Sequence, residues 1–101
     1  MAERREASQR NLTEIFNRAV AESQGKIKIE ATYPQWDVQR DDLTHPATLR
    51  FYLQGNPEPH SIEFSRALFD ACANKRNTQE LATAEDIIRT KLDSLIKNTH
   101  P

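Results

Sequence analysis

Ala47-Thr48-Leu49-Arg50-Phe51-Tyr52-Leu53-Gln54, then Gly55-Asn56-Pro57-Glu58-Pro59, then His60-Ser61-Ile62-Glu63-Phe64: the reading of this stretch decides the fold. Leu49, Phe51 and Leu53 alternate with Arg50, Tyr52 and Gln54. Ile62 and Phe64 alternate with Ser61 and Glu63 in the same way, which is the period of strands with one dry face and one wet face. Between the runs, proline fixes φ while Gly55 and Asn56 admit positive φ, so the chain turns there. The two runs are expected to pair as an antiparallel hairpin.

Upstream, residues 26–33 have the same period, with Ile27, Ile29, Ala31 and Tyr33 on one side and Lys28, Glu30 and Thr32 on the other. They read as a first strand whose charged outer residues suit a sheet border. Between 34 and 46, Pro34, Asp37, Asp41, Asp42 and Pro46 interrupt regular structure. Trp36 and Val38 alternate with Asp37 and Gln39, which leaves room for a short fourth strand over 36–40. Earlier still, Leu12, Ile15, Phe16, Ala19 and Val20 recur at the spacing that lines one side of a helix. Asn11 with Glu14 resembles a capping box, Ser8 is an alternative cap, and Gly25 supplies the left-handed stop, so the helix is expected to end at about Gln24.

Downstream, Ser65 is a cap for a helix carrying Ala67, Leu68, Phe69, Ala71 and Cys72 and expected to end near Lys75 and Arg76. Thr83 opens a second capping signal, followed by Ile87, Ile88, Leu92, Leu95 and Ile96 on one side and an outward Glu85 and Arg89 pair. The order is α-β-β-β-α-α: an α+β fold in which a three-stranded antiparallel sheet has one face covered by helices. Residues 1–101 make one domain, and residues 1–7 and 98–101 are expected to be frayed or disordered.

Fourteen basic and fifteen acidic residues are mixed along the 101-residue chain, giving a formal charge of −1. No local excess of Lys and Arg marks a dedicated polyanion binder. A lone cysteine, Cys72, cannot make an internal disulfide or a cysteine-based zinc site. The polar start does not resemble a signal peptide, and no apolar run approaches the ~20 residues that span a bilayer. The expectation is a bacterial-type cytoplasmic protein with no membrane association.

Catalytic constellations are not apparent, and an enzyme is not expected. Cys72 lies among Leu68, Phe69, Ala71 and Ala73, the setting of a core residue rather than a reactive thiolate. His45 and His60 flank opposite ends of the predicted strand, roughly 25 to 30 Å apart, too far to share a metal with Asp41, Asp42 or Glu58. They read as solvated loop histidines, and His100 falls in the tail. Adjacent carboxylates at Asp41 and Asp42 read as turn material, and those at Glu85 and Asp86 as helix-dipole partners. With Gly25 and Gly55 as its two glycines, the chain has no phosphate-cradling loop. No cofactor and no metal are expected. The candidate recognition residues are Trp36, Arg50, Tyr52 and Tyr33, because aromatic side chains and Arg dominate interface hot spots.

The order helix, three strands, helix is similar to that of the double-stranded-RNA-binding domain. That resemblance implies binding through a lysine-rich helix start after the third strand and a histidine-bearing loop between the first two strands. Here that helix begins Ser65-Arg66-Ala67-Leu68-Phe69-Asp70, His45-Pro46 lacks the accompanying glycine, and a further helix follows. The function expected is therefore a non-catalytic protein-interaction or self-assembly module, binding a protein partner or a second copy. Nucleic-acid binding is the first alternative, and an enzyme subunit using Cys72 or the histidines the second.

Overall fold

The computed structural model describes residues 2–30, 34–39 and 42–99. Its elements are α1 (Ala2–Glu22), β1 (Gln35–Asp37), β2 (Ala47–Tyr52), β3 (Pro59–Phe64), α2 (Arg66–Ala71) and α3 (Thr78–Thr99). The strands form one open antiparallel sheet in the order β1-β2-β3, so the α+β class and the α-β-β-β-α-α order are those expected.

The hairpin forms as its alternation predicts. Its register runs without a bulge from Ala47 opposite Phe64 to Tyr52 opposite Pro59. At the turn, Gly55 adopts φ +75, where a side chain would be strained. The Asn56 carboxamide oxygen accepts the Glu58 N–H at 2.9 Å, closing the loop locally. Leu49, Phe51, Ile62 and Phe64 are buried on the dry side.

The first strand is not where the stronger alternation placed it. Residues 26–30 contribute an isolated bridge, Ile29 to Leu53, flanked by Glu30 N–H to Tyr52 C=O and Gln54 N–H to Lys28 C=O, each 2.9 Å. Strand β1 is instead Gln35–Asp37, which overlaps the possible fourth strand over 36–40 only at Trp36 and Asp37. The pairing offset explains why: Ile29 to Gln35 is six residue steps, set against three from Leu53 back to Arg50. One uninterrupted ladder cannot accommodate that excess, and Pro34 has no N–H to contribute to it. Ala31, Tyr33, Arg40 and Asp41 lie outside the described residues.

Helix α1 starts at Ala2, so neither Ser8 nor Asn11 caps it; both are buried in its interior turns. It ends at Glu22, two residues before the expected Gln24, and both Gln24 and Gly25 adopt positive φ just beyond it. Ser65 caps α2, its hydroxyl oxygen accepting the Leu68 N–H at 3.2 Å, but α2 ends at Ala71, short of Lys75 and Arg76. Helix α3 begins at Thr78, five residues before Thr83. The Thr83 hydroxyl donates to Gln79 C=O instead of capping. Asn77 ties this start to the end of α2, its side-chain amide donating to Ala71 C=O at 2.8 Å.

The helices lie on one side of the sheet. Phe16 of α1 meets Phe51 with ring centroids 5.1 Å apart, and Phe69 of α2 meets Trp36 of β1 at 5.4 Å. Helix α3 packs against α1 and β3, and its Ala84, Ile88, Leu92 and Leu95 are buried in the common core. Across the outer side of the helix pair, Arg89 of α3 donates to Glu85 and to Glu22 of α1.

Candidate interaction surface

Strand parity divides the sheet's residues into two sets. Trp36, Leu49, Phe51, His60, Ile62 and Phe64 face the helices, whereas Gln35, Asp37, Thr48, Arg50, Tyr52, Pro59, Ser61 and Glu63 face away. The second set is left open: Gln35, Asp37, Arg50, Ser61 and Glu63 are exposed, and Thr48 and Tyr52 half-buried. Arg50 sits at its centre, donating to the Asp37 carboxylate at 3.1 Å with 49% of its side chain still exposed. Shallow clefts of about 300 and 280 Å³ flank it, one bounded by Gln35, Trp36 and Asp37, the other by Tyr52, Pro59 and Ser61.

The sequence candidates are thereby separated. Arg50 and Tyr52 share the open face, whereas Trp36 belongs to the packed side, its ring against Phe64 and Phe69 and its Nε1–H donating to Thr13 Oγ1 at 2.9 Å. Tyr33 lies outside the described residues.

His60 is not the solvated loop residue that the sequence suggests. It is part of β3 on the helix side, stacked on Phe51 at 5.6 Å, with Nε2 buried and without a hydrogen-bond partner among the described residues. The missed signal was parity, since His60 falls in step with Ile62 and Phe64. His45 lies six residues from Phe51, the partner of His60, a separation of about 20 Å along an extended chain. Among the described residues, no group of three His, Cys, Asp or Glu side chains is placed to hold a metal ion.

His45 does pair locally, its Nδ1 meeting the Asp42 carboxylate. The Thr44 hydroxyl and amide both donate to Asp42, and these bonds, with His45 adding to them, lower the Asp42 pKa to about 2. Such a carboxylate stays ionised and organises its turn; it is no proton donor near neutral pH. Cys72 is fully buried, its Sγ–H directed at Glu80 C=O. Desolvation, reinforced by the Glu80 charge, raises the thiol to about 11, which disfavours the thiolate that nucleophilic chemistry needs.

Arg66, the one basic residue at the start of α2, is turned inward. Its guanidinium donates to Gln39 C=O at 2.6 Å and to Asp70 at 3.1 Å, leaving 9% of the side chain exposed. It fastens the segment after β1 to α2 and is not presented to a phosphate. Between α1 and the start of α3 runs a groove of about 360 Å³ over Ile15, Leu81 and Ala82. Its rim carries the ion pairs Lys75 to Glu14 at 3.6 Å and Arg18 to Glu85 at 3.7 Å.

No helix among the described residues is long and apolar enough to cross a membrane. No protein-family model, curated protein or solved structure matches the chain.

Proposed function

We propose that this chain is a non-catalytic protein-interaction or self-assembly module whose contact surface is the open face of the sheet, centred on Arg50 and Tyr52. The observation that supports this reading is the one-sided placement of the helices. With all of them on the Trp36 and Phe51 side, an Arg, a Tyr and two adjoining clefts stand on a rigid strand pair facing outward. Held on strands rather than loops, these residues have an already ordered backbone, so docking costs mainly side-chain freedom, little for the Tyr ring and more for the Arg chain. The buried, unreactive thiol suits a reducing cytoplasmic setting but adds no chemistry.

Affinity capture with the full chain as bait tests this. A protein retained by the wild type and lost with Arg50→Glu/Tyr52→Ala supports the surface. Identical recoveries with both baits remove it. Retention of duplex RNA that weakens with salt would replace this reading with the nucleic-acid one.

A further inference from the structure

Strand β3 borders the sheet with its backbone open on one side. Glu30 N–H reaches Tyr52 C=O at 2.9 Å from the β1 side, which fixes the parity of β2. The backbone groups of Thr48, Arg50 and Tyr52 point toward β1, and those of Ala47, Leu49 and Phe51 point toward β3. The unbroken register then turns the groups of His60, Ile62 and Phe64 inward and those of Pro59, Ser61 and Glu63 outward. Among the described residues, none bonds the Ser61 or Glu63 backbone from the open side.

An edge of this kind is a template for another strand, and proteins commonly blunt it by shortness, lysine, proline or a bulge. Strand β1 is three residues long. Strand β3 has six residues, no lysine and no bulge, and its single proline stands at its first position.

We infer that β3 pairs antiparallel with β3 of a second copy about a two-fold axis at Ile62, making one six-stranded sheet. This rests on the reading of the chain as an interaction module, although it uses the sheet's edge rather than its face. The edge itself selects the register. Setting Ser61 opposite the partner's Ser61 leaves both Glu63 carbonyls facing a proline that has no N–H. Setting Glu63 opposite the partner's Glu63 brings like charges together. Setting Ser61 opposite the partner's Glu63 lets each donate and accept, four bonds in all by symmetry.

Charge favours the same arrangement. Gln35, Arg50 and Ser61 lie in one cross-strand row, and this register adds the partner's Glu63 to its end. Only the small Ser61 then separates Arg50 from the partner's Glu63, two strand spacings or about 9.6 Å, within the combined reach of the two side chains. Glu63 has no ion pair within its own subunit among the described residues. The Arg50 to Asp37 pair is exposed, so Arg50 can share or exchange partners at little cost. An unrelated extended segment would have no reason to carry this complement, whereas a second copy carries it by symmetry.

Sedimentation equilibrium of the full chain, with amide exchange read by NMR, provides the test. The mass is expected to rise with concentration from 11.6 kDa toward twice that value. In step with it, Ser61 and Glu63 amide exchange slows while that of Gly55 in the turn does not. Ser61→Pro removes an N–H that has no partner inside the subunit, so a folded monomer is expected. Glu63→Arg weakens association, and Glu63→Arg/Arg50→Glu restores it. A mass of 11.6 kDa at every concentration, or a dimer whose Ser61 and Glu63 amides exchange as fast as in the monomer, overturns the inference. A monomer that still loses a captured protein on substitution of Arg50 and Tyr52 defeats the edge pairing alone. A dimer blocked by Ser61→Pro, with capture indifferent to Arg50 and Tyr52, defeats the sheet-face reading alone.

Discussion

Asn11 and Cys72 meet where the middle of α1 passes the end of α2, and each shows how a side chain serves the fold there. The Asn11 amide donates to Cys72 C=O at 2.8 Å and to Ala73 C=O at 3.3 Å, satisfying carbonyls that the short helix leaves open. Asn11→Ala strands them in a buried site, so chemical denaturation should show a loss of about 1 to 3 kcal/mol. The Cys72 thiol should react with a thiol reagent only as fast as the protein opens, so denaturant should accelerate labelling steeply. Its titration also sets a sign. An unfolded thiol ionises near pH 9.0 while the folded one is held to about 11, so stability is undiminished below the first value and declines as pH rises between them. Asp42 acts at the other end of the scale. Its contribution is complete above its ordinary pKa of 3.8 and is lost as pH falls toward about 2, a midpoint that a carboxyl-carbon NMR titration should find.

At the scale of elements, Trp36 and Arg50 separate packing from recognition. Trp36 on β1 joins Phe64, Phe69 and Thr13, so Trp36→Ala should cost roughly 3 kcal/mol in thermal or chemical unfolding. Arg50→Ala removes an exposed ion pair and should stay within about 0.5 kcal/mol of wild type. The hairpin was legible in the sequence because both its strands alternate and Gly55 marks the turn. His60 is less legible, because Pro57 and Pro59 carry the turn signal up to its neighbour; counting back by two from Phe64 assigns it to the strand. Residues 26–33 alternate more regularly than Gln35–Asp37, yet alternation says only that a segment is able to form a strand. Which segment β2 accepts depends on the offset between Ile29 and Gln35, a tertiary quantity. The helix starts were missed for a related reason. Ser8, Asn11 and Thr83 are cap residues by type, but the first two are buried by contacts from elsewhere in the chain and the third bonds back to its own helix.

At the scale of the whole molecule, the long helices and the small sheet are unequal partners. Helices α1 and α3 have 21 and 22 residues and occupy much of a body 43 Å in its longest dimension. Two-layer packing fills the space between them and the sheet and leaves the sheet's far side with nothing to cover it. The open face was foreseeable from strand alternation, whereas the sharing of that face by Arg50 and Tyr52 without Trp36 depends on the pairing of β1.

Both the open face and the open edge rest on the parity of the β2 and β3 pairing, since a slip of one residue would exchange the wet side for the dry one. Cross-strand α-proton contacts measured by NMR test this directly, because they are strongest between residues opposed without mutual hydrogen bonds. The register predicts them between Thr48 and Glu63 and between Arg50 and Ser61. Strong contacts from Arg50 to His60 or Ile62 in their place would contradict the account.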